Sequence, residues 1–222
     1  MTPPALRLDG LIFDVDGTLA DNLPAIFDAF RVALTSVGGR YYDDDEIYGL
    51  FGPIAEEIFQ REARDRWEAA FDTYLAHYRR LAQPHAIEMA GMRELLAWVQ
   101  VAGLRMGVVS GAGRSTVDVT LGALGLQLHF GHILTNDIPA RPKRRNLEAM
   151  TQQWGIAPQR LAYIGDSPND MEHALMAGMT PLGAAWGRAS RYRALRAAGA
   201  VAIFTHPDEL RAWLLTPAEP EA

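Results

Sequence analysis

"LIFDVDGTL", residues 11–19, is the stretch on which the fold turns. An apolar run, Leu11–Phe13, closes at Asp14, and a second aspartate follows at Asp16 before Gly17-Thr18. A short apolar run bounded by turn residues reads as a buried strand. Two carboxylates brought together at its end repel each other, and taking them out of water costs more still. A sequence that does this needs a compensating charge, and the identity of that charge leads to function.

The 222 residues are enough for a substantial core, as one large domain or two small ones. A net charge of −6 argues against general affinity for nucleic acid or an anionic membrane surface. With no cysteine, a disulfide framework, a thiolate nucleophile and a cysteine-based zinc site are all excluded. No stretch approaches the ~18 continuous apolar residues that span a bilayer. The start, MTPPALRLDG, lacks the basic-then-apolar pattern of a secretion signal, so a cytoplasmic location is expected. The closing TPAEPEA reads as a polar tail.

Outward from the opening stretch, Leu23, Ile26, Phe27, Phe30, Leu34 and Val37 recur at helical spacing, with Asp21 or Asn22 as N-cap and Gly38-Gly39 as the stop. A loop, residues 41–53, is expected next, then a second helical pattern through Trp67, Phe71, Tyr74, Leu75 and Tyr78, ended by Pro84. From Glu94 onward the rhythm changes. Helices over 93–102, 114–124, 146–154, 169–177, 190–198 and 207–215 alternate with strands RMGVV, HILT, LAYIG, PLGAAW and VAIF. Such alternation predicts an α/β fold, a Rossmann-like parallel sheet with helices on both faces. Residues 20–83 interrupt it as an inserted α-helical cap subdomain, leaving 1–19 and 84–222 as the catalytic core. Ligands of parallel sheets bind at the carboxyl ends of the strands, where Asp14, Asp16, Ser110 and Asp166 all fall.

The second acidic cluster is "YIGDSPND", residues 163–170. Asp166 closes a strand and Asp170 lies near the start of the following helix. Helix capping accounts for Asp170 taken alone. It does not account for paired aspartates at the end of an apolar strand. A hard divalent cation does: Mg²⁺ takes oxygen ligands, retains waters and bridges to phosphate.

In these residues the chain resembles the haloacid dehalogenase superfamily, in the branch with a helical cap inserted after the first motif. Asp14-Val15-Asp16-Gly17-Thr18 matches the first motif, Ser110 after RMGVV the second, the basic run Arg141-Pro142-Lys143 the place of the third, and Gly165-Asp166-Ser167-Pro168-Asn169-Asp170 the fourth. Four motifs in order over nearly the whole chain make the resemblance specific. It implies Asp14 as the nucleophile that forms an aspartyl-phosphate, and Asp16 as the acid and then base. It implies Mg²⁺ held by the Asp14 carboxylate, the Asp16 backbone carbonyl and Asp166, with Asp170 helping directly or through waters. Ser110 and the Gly111 amide would bind phosphate oxygens, and a lysine would neutralise charge on the nucleophile and phosphoryl group. The third motif departs from the usual Lys-Pro. Arg141 stands in the lysine's place before Pro142, so either Arg141 substitutes or a backbone shift lets Lys143 serve; the compact ammonium favours Lys143.

The resemblance also sets the reaction. Members that displace halide lack an aspartate at the position of Asp16, because halide needs no proton. The expected activity is therefore hydrolysis of a small phosphorylated metabolite. "YGLFGP", residues 48–53, is similar to the cap loop of phosphoglycolate-phosphatase-like members. A phosphosugar mutase and a non-catalytic scaffold that has kept the fold are the alternatives. Arg61–Asp65 and Glu62–Arg66 have the spacing of surface helix pairs. His77 and His173 read as surface or supporting residues, and Trp98, Trp154 and Trp186 as packing.

Overall fold

The Leu11–Phe13 run becomes strand β1 (Gly10–Phe13), buried at every position. Continuous burial is what a parallel strand covered on both faces requires. The computed structural model describes residues 8–137, 143–187 and 191–216. After β1 come helices α1 (Leu23–Gly38), α2 (Asp44–Leu50), α3 (Ala55–Ala63), α4 (Trp67–Leu81), the single turn α5 (Pro84–Ile87) and α6 (Met92–Val101). Strand and helix then alternate through β2 (Arg105–Val109), α7 (Arg114–Leu124), β3 (His132–Leu134), α8 (Lys143–Trp154), β4 (Leu161–Gly165), α9 (Pro168–Met176), β5 (Thr180–Ala184), α10 (Tyr192–Ala197), β6 (Ala202–Phe204) and α11 (Pro207–Leu215).

The strands pair in parallel in the order β3-β2-β1-β4-β5-β6, the expected α/β sheet. The chain runs outward from β1 to β3, then returns to the far side of β1 to begin β4. The two halves therefore part between β1 and β4, and a crevice opens above their carboxyl ends. Register pairs Phe13 with Ile164, and the Asp14 amide donates to the Ile164 carbonyl at 2.9 Å. Asp14 and Asp166 are thus carried to the same place by two central strands.

Helices α1, α3 and α4 pack on one another around aromatic side chains, with α4 also against α7. Phe30 stacks on Phe59 with ring centroids 5.1 Å apart and meets Tyr74 at 4.6 Å. Each such pair contributes about 0.5–1.5 kcal/mol beyond the area it buries. A wall of interlocked rings holds its shape better than one of flexible aliphatic chains.

Three local expectations change. The 41–53 stretch is not all loop, because α2 forms within it. Asp43 accepts from the Glu46 amide at 2.8 Å while Glu46 accepts from the Asp43 amide at 3.1 Å, closing a capping box. The acidic first turn of α2 also complements the helix dipole. Asn22 occupies the N-cap position of α1, but its side chain makes no cap bond. The pairs expected at Arg61–Asp65 and Glu62–Arg66 do not form, because α3 stops at Ala63 and Arg64 takes φ 49°. Arg61 meets Glu62 instead, and Arg66 donates to the Val37 carbonyl.

Candidate active site

Asp14, Asp166 and Asp170 converge over the crevice between β1 and β4. One carboxylate oxygen from each lies within 4.8 Å of the others. Two glycines make this approach possible. A Cβ on Gly17 would overlap the Asp166 carboxylate, and one on Gly165 would overlap the Asp170 side chain. Gly17 also takes φ +79°, which suits glycine in the turn that bonds its amide to the Ala20 carbonyl at 2.8 Å. Trp186, just past β5, steadies that turn by donating to the Thr18 carbonyl at 2.9 Å.

Lys143, the first residue of α8, reaches into the cluster. Its Nζ donates to Asp170 Oδ1 at 2.6 Å and to Asp14 Oδ1 at 3.2 Å. A cation is unfavourable at a helix N-terminus, so these two anions hold it against the dipole. Burial works to depress the Lys143 ammonium, but Asp14 and Asp170 push it well above its ordinary value, so it stays charged. Gly111 lies beside the lysine stem. Arg141, the other candidate for this role, lies outside the described residues.

One lysine leaves the cluster short of positive charge. Burial, reinforced by Asp170 and Asp16 and opposed by Lys143, pushes the Asp14 carboxyl up to about 7. Burial and the neighbouring aspartates raise Asp166 well above the carboxylate range. Among the described residues, no donor hydrogen-bonds the Asp166 carboxylate. Hard oxygen donors, adjacent, buried and short of a partner, fit a divalent cation such as Mg²⁺. Asp170, expected to assist the metal, stands in this cluster and also has protein donors of its own. Its Oδ2 accepts from the Ser167 amide at 3.0 Å and hydroxyl at 2.7 Å, and its Oδ1 from Lys143. Protein donors already occupy both oxygens, and Asp170 caps α9 while anchoring the lysine.

Asp16 lines the same cavity but takes a donor of its own. Asn22 Nδ2 donates to its Oδ1 at 2.6 Å and to Tyr78 Oη at 2.7 Å. The phenol meets Thr120 Oγ1 at 2.7 Å, and that hydroxyl donates to the Thr116 carbonyl at 3.2 Å. The two amide N–H groups serve Asp16 and Tyr78, with Thr120 Oγ1 a longer contact at 3.4 Å, and the two hydroxyls pass the remaining protons along the chain. This chain joins Asp16 to α1, to α4 and to core helix α7. Burial raises the Asp16 carboxyl above its usual value, with Asn22 and Lys143 opposing. Asp16 is thus not one of the three clustered carboxylates.

Ser110 continues β2 by donating its amide to the Leu134 carbonyl at 3.0 Å, and its Oγ accepts from the Ala112 amide at 3.0 Å. The hydroxyl proton is left to offer to a ligand. Asp14, Asp16, Ser110, Gly111, Lys143 and Asp166 all line one cavity of about 510 Å³ between the sheet edge and the helical insertion. His173, read as a surface or supporting residue, also lines it, its Nδ1 buried and unpaired. Trp154 packs as expected and donates to His132 at 3.1 Å. In the sequence Asn22 reads as a helix cap and Tyr78 as one apolar position of a helix, and Thr120 carries no signal. A buried asparagine at a helix start looks like an ordinary cap, and only the fold shows what it bonds.

The family model for haloacid dehalogenase-like hydrolases matches residues 11–184. The chain belongs to this family. As a haloacid dehalogenase-like hydrolase it is 26% identical over 194 residues to a phosphoglycolate phosphatase from Chromobacterium violaceum, covering 82% of this chain and 87% of the relative. It is 30% identical over 187 residues to the "Probable phosphatase IndB" of Dickeya dadantii, covering 80% and 81%. Its fold superposes on a crystal structure of a predicted phosphoglycolate phosphatase from Haemophilus somnus with a TM-score of 0.79 at 20% identity, covering 93% of this chain and 98% of that one.

Proposed function

We propose that this haloacid dehalogenase-like phosphatase hydrolyses a small phosphomonoester in two steps through a phosphorylated Asp14, with Mg²⁺ as cofactor. The observation that carries the reading is Lys143 bonded to Asp14 beside the unpartnered Asp166, with Asp16 held apart on its own donor. Asp14 attacks phosphorus in line, and the P–O bond to the leaving group breaks as the Asp14–P bond forms. Asp16, its carboxyl raised by burial, carries the proton that the departing alkoxide takes. It then accepts a proton from the water that attacks phosphorus and releases Asp14 and inorganic phosphate. Ser110 Oγ and the Gly111 amide hold the phosphoryl oxygens. Lys143 offsets negative charge on Asp14 and on the phosphoryl group. The Asp14 carboxylate, the Asp16 carbonyl and Asp166 would hold Mg²⁺, which supplies positive charge to the phosphoryl oxygens.

Residues 20–83 are the proposed cap, closing over the cavity to exclude bulk water. A mutase would need to hold a second phosphate from the cap side. Every cap residue is described, and none that lines the cavity is cationic, which disfavours that alternative. The test is Asp14→Asn assayed for phosphate release from a metabolite panel with Mg²⁺. Turnover should fall by at least a thousandfold while the melting temperature persists, and EDTA should do the same to the wild type. Retained turnover in Asp14→Asn removes Asp14 as nucleophile.

A further inference from the structure

From the two ends of the active-site cavity we infer that the leaving group of the natural substrate is apolar and of ring size, not the carboxylate-bearing or polyhydroxylated group of a sugar-acid or sugar phosphate. The inference rests on the phosphatase reading and names the substrate class for that same site. The phosphoryl end is polar and charged, with Asp14, Lys143, Ser110 and Asp166. The opposite wall is contributed by the helical insertion through Leu23, Ile26, Phe30, Phe51, Ile54 and Ile58. These side chains are anchored by packing. Phe51 contacts Phe27 and Phe30 with ring centroids 5.5 Å apart in each pair, and Phe30 stacks on Phe59.

The helical insertion brings only two side-chain polar groups to the cavity, the hydroxyls of Tyr48 and Tyr74. The Tyr74 hydroxyl meets Thr116 Oγ1 at 3.3 Å, and the Tyr48 hydroxyl accepts from Arg191. Arg191 comes from the core side, and its guanidinium lies 4.8 Å from the centroid of the Tyr48 ring. Lys143 is committed to Asp14 and Asp170. A carboxylate or a set of hydroxyls placed against these six apolar side chains would lose its water and gain no partner from them, which is costly. An apolar ring placed there removes its own surface and that of the wall from water together. The cavity of about 510 Å³ leaves room for a ring beyond the phosphoryl group.

The test compares kcat/KM for benzyl phosphate, 2-phosphoglycolate and glycerol 3-phosphate with the intact enzyme and Mg²⁺. Benzyl phosphate is chosen because its alkoxide is a poor leaving group like the other two, so activation does not mask binding. The expected result is kcat/KM for benzyl phosphate at least tenfold above either polar ester. Phe51→Ala should shrink that preference about tenfold. Leu23→Ala, on the same wall at a half-buried position, serves if Phe51→Ala fails to fold. Turnover of 2-phosphoglycolate or glycerol 3-phosphate as efficient as that of benzyl phosphate overturns the inference and leaves the phosphatase reading standing. Phosphate released from none of the three removes the phosphatase reading and the inference with it.

Discussion

Replacing Asn22 by Leu removes the donor on Asp16 and conserves volume. Asn22 is fully buried, and its amide gives the 2.6 Å bond to Asp16 and the 2.7 Å bond to Tyr78. Tyr78 keeps Thr120 at 2.7 Å, so the phenol is not orphaned, whereas Asp16 loses the bond that favours its ionised form. A hydrogen bond to a charged group is worth about 1.5–3 kcal/mol. At about 1.4 kcal/mol per pKa unit, the Asp16 carboxyl should rise by a further ~1–2 units. Asp16 must be ionised to take a proton from the hydrolytic water. The acid limb of the kcat–pH profile should therefore move to higher pH by that amount. A carboxylate no longer aimed at the leaving oxygen should also lower kcat by about 10–100-fold, the lower part of the range for general acid–base catalysis. KM should change little, since Asn22 is not among the residues lining the cavity. The assay is steady-state phosphate release from pH 5 to 9, with thermal melts in parallel. A melting point that falls while kcat and the pH profile stay within twofold of wild type would refute the positioning role and reduce Asn22 to packing.

Metal binding should depend on pH in a defined direction. Asp14 is pushed to about 7 in the folded protein from 3.8, so without metal the fold holds a proton that the unfolded chain has released across that interval. The stability this proton contributes is full below the unfolded value and lost as pH rises through about 7. Mg²⁺ competes with the proton, so its thermal shift should be small at pH 5.5 and larger at pH 8; the reverse order counts against Asp14 as a ligand. Lys143→Met leaves Asp14 and Asp170 buried without their cation. It should lower stability by about 3–5 kcal/mol at pH 8 and by less at pH 5.5, where Asp14 takes up a proton. Equal destabilisation at both pH values in chemical denaturation would contradict this. Gly17→Ala forces a Cβ against the Asp166 carboxylate at φ +79°. It should cut Mg²⁺-dependent turnover at least a hundredfold and flatten the Mg²⁺ thermal shift, and a wild-type shift would show that Asp166 has room to spare.

Much of this protein is written in its local pattern. Leu161–Gly165 and Arg105–Val109 are apolar runs closed by turn residues, and both are strands with the expected bounds. Strand–helix alternation needs no long-range information, because each element buries its own apolar face against a sheet. The pairing of "DVDGT" with "GDSPND" was equally legible, since carboxylates at strand ends are costly unless a cation joins them. Short polar segments were misread for the same local reason. Helix α2 carries a single buried residue, Ile47, so it shows no apolar stripe and rests on its capping box and acidic first turn. Helix α3 ends at Arg64 through a backbone conformation that periodicity does not encode.

Hydrophobic period and the electrostatic cost of buried charge are local properties, and they lay down the sheet, the inserted helices and which aspartates belong together. Tertiary structure alone brings Lys143 to Asp14, since their distance depends on where α8 starts relative to β1, 129 residues earlier in the chain. It alone showed that Asp170 is occupied by Ser167 and Lys143, and that Asp16 hangs from a buried asparagine tied to two helices. It also turned one face of α1 and the start of α3 into an apolar wall opposite the phosphoryl site. Hydrogen bonds and cavity walls are made between residues distant in sequence, and their energies are set by ångström-scale geometry that no local pattern records.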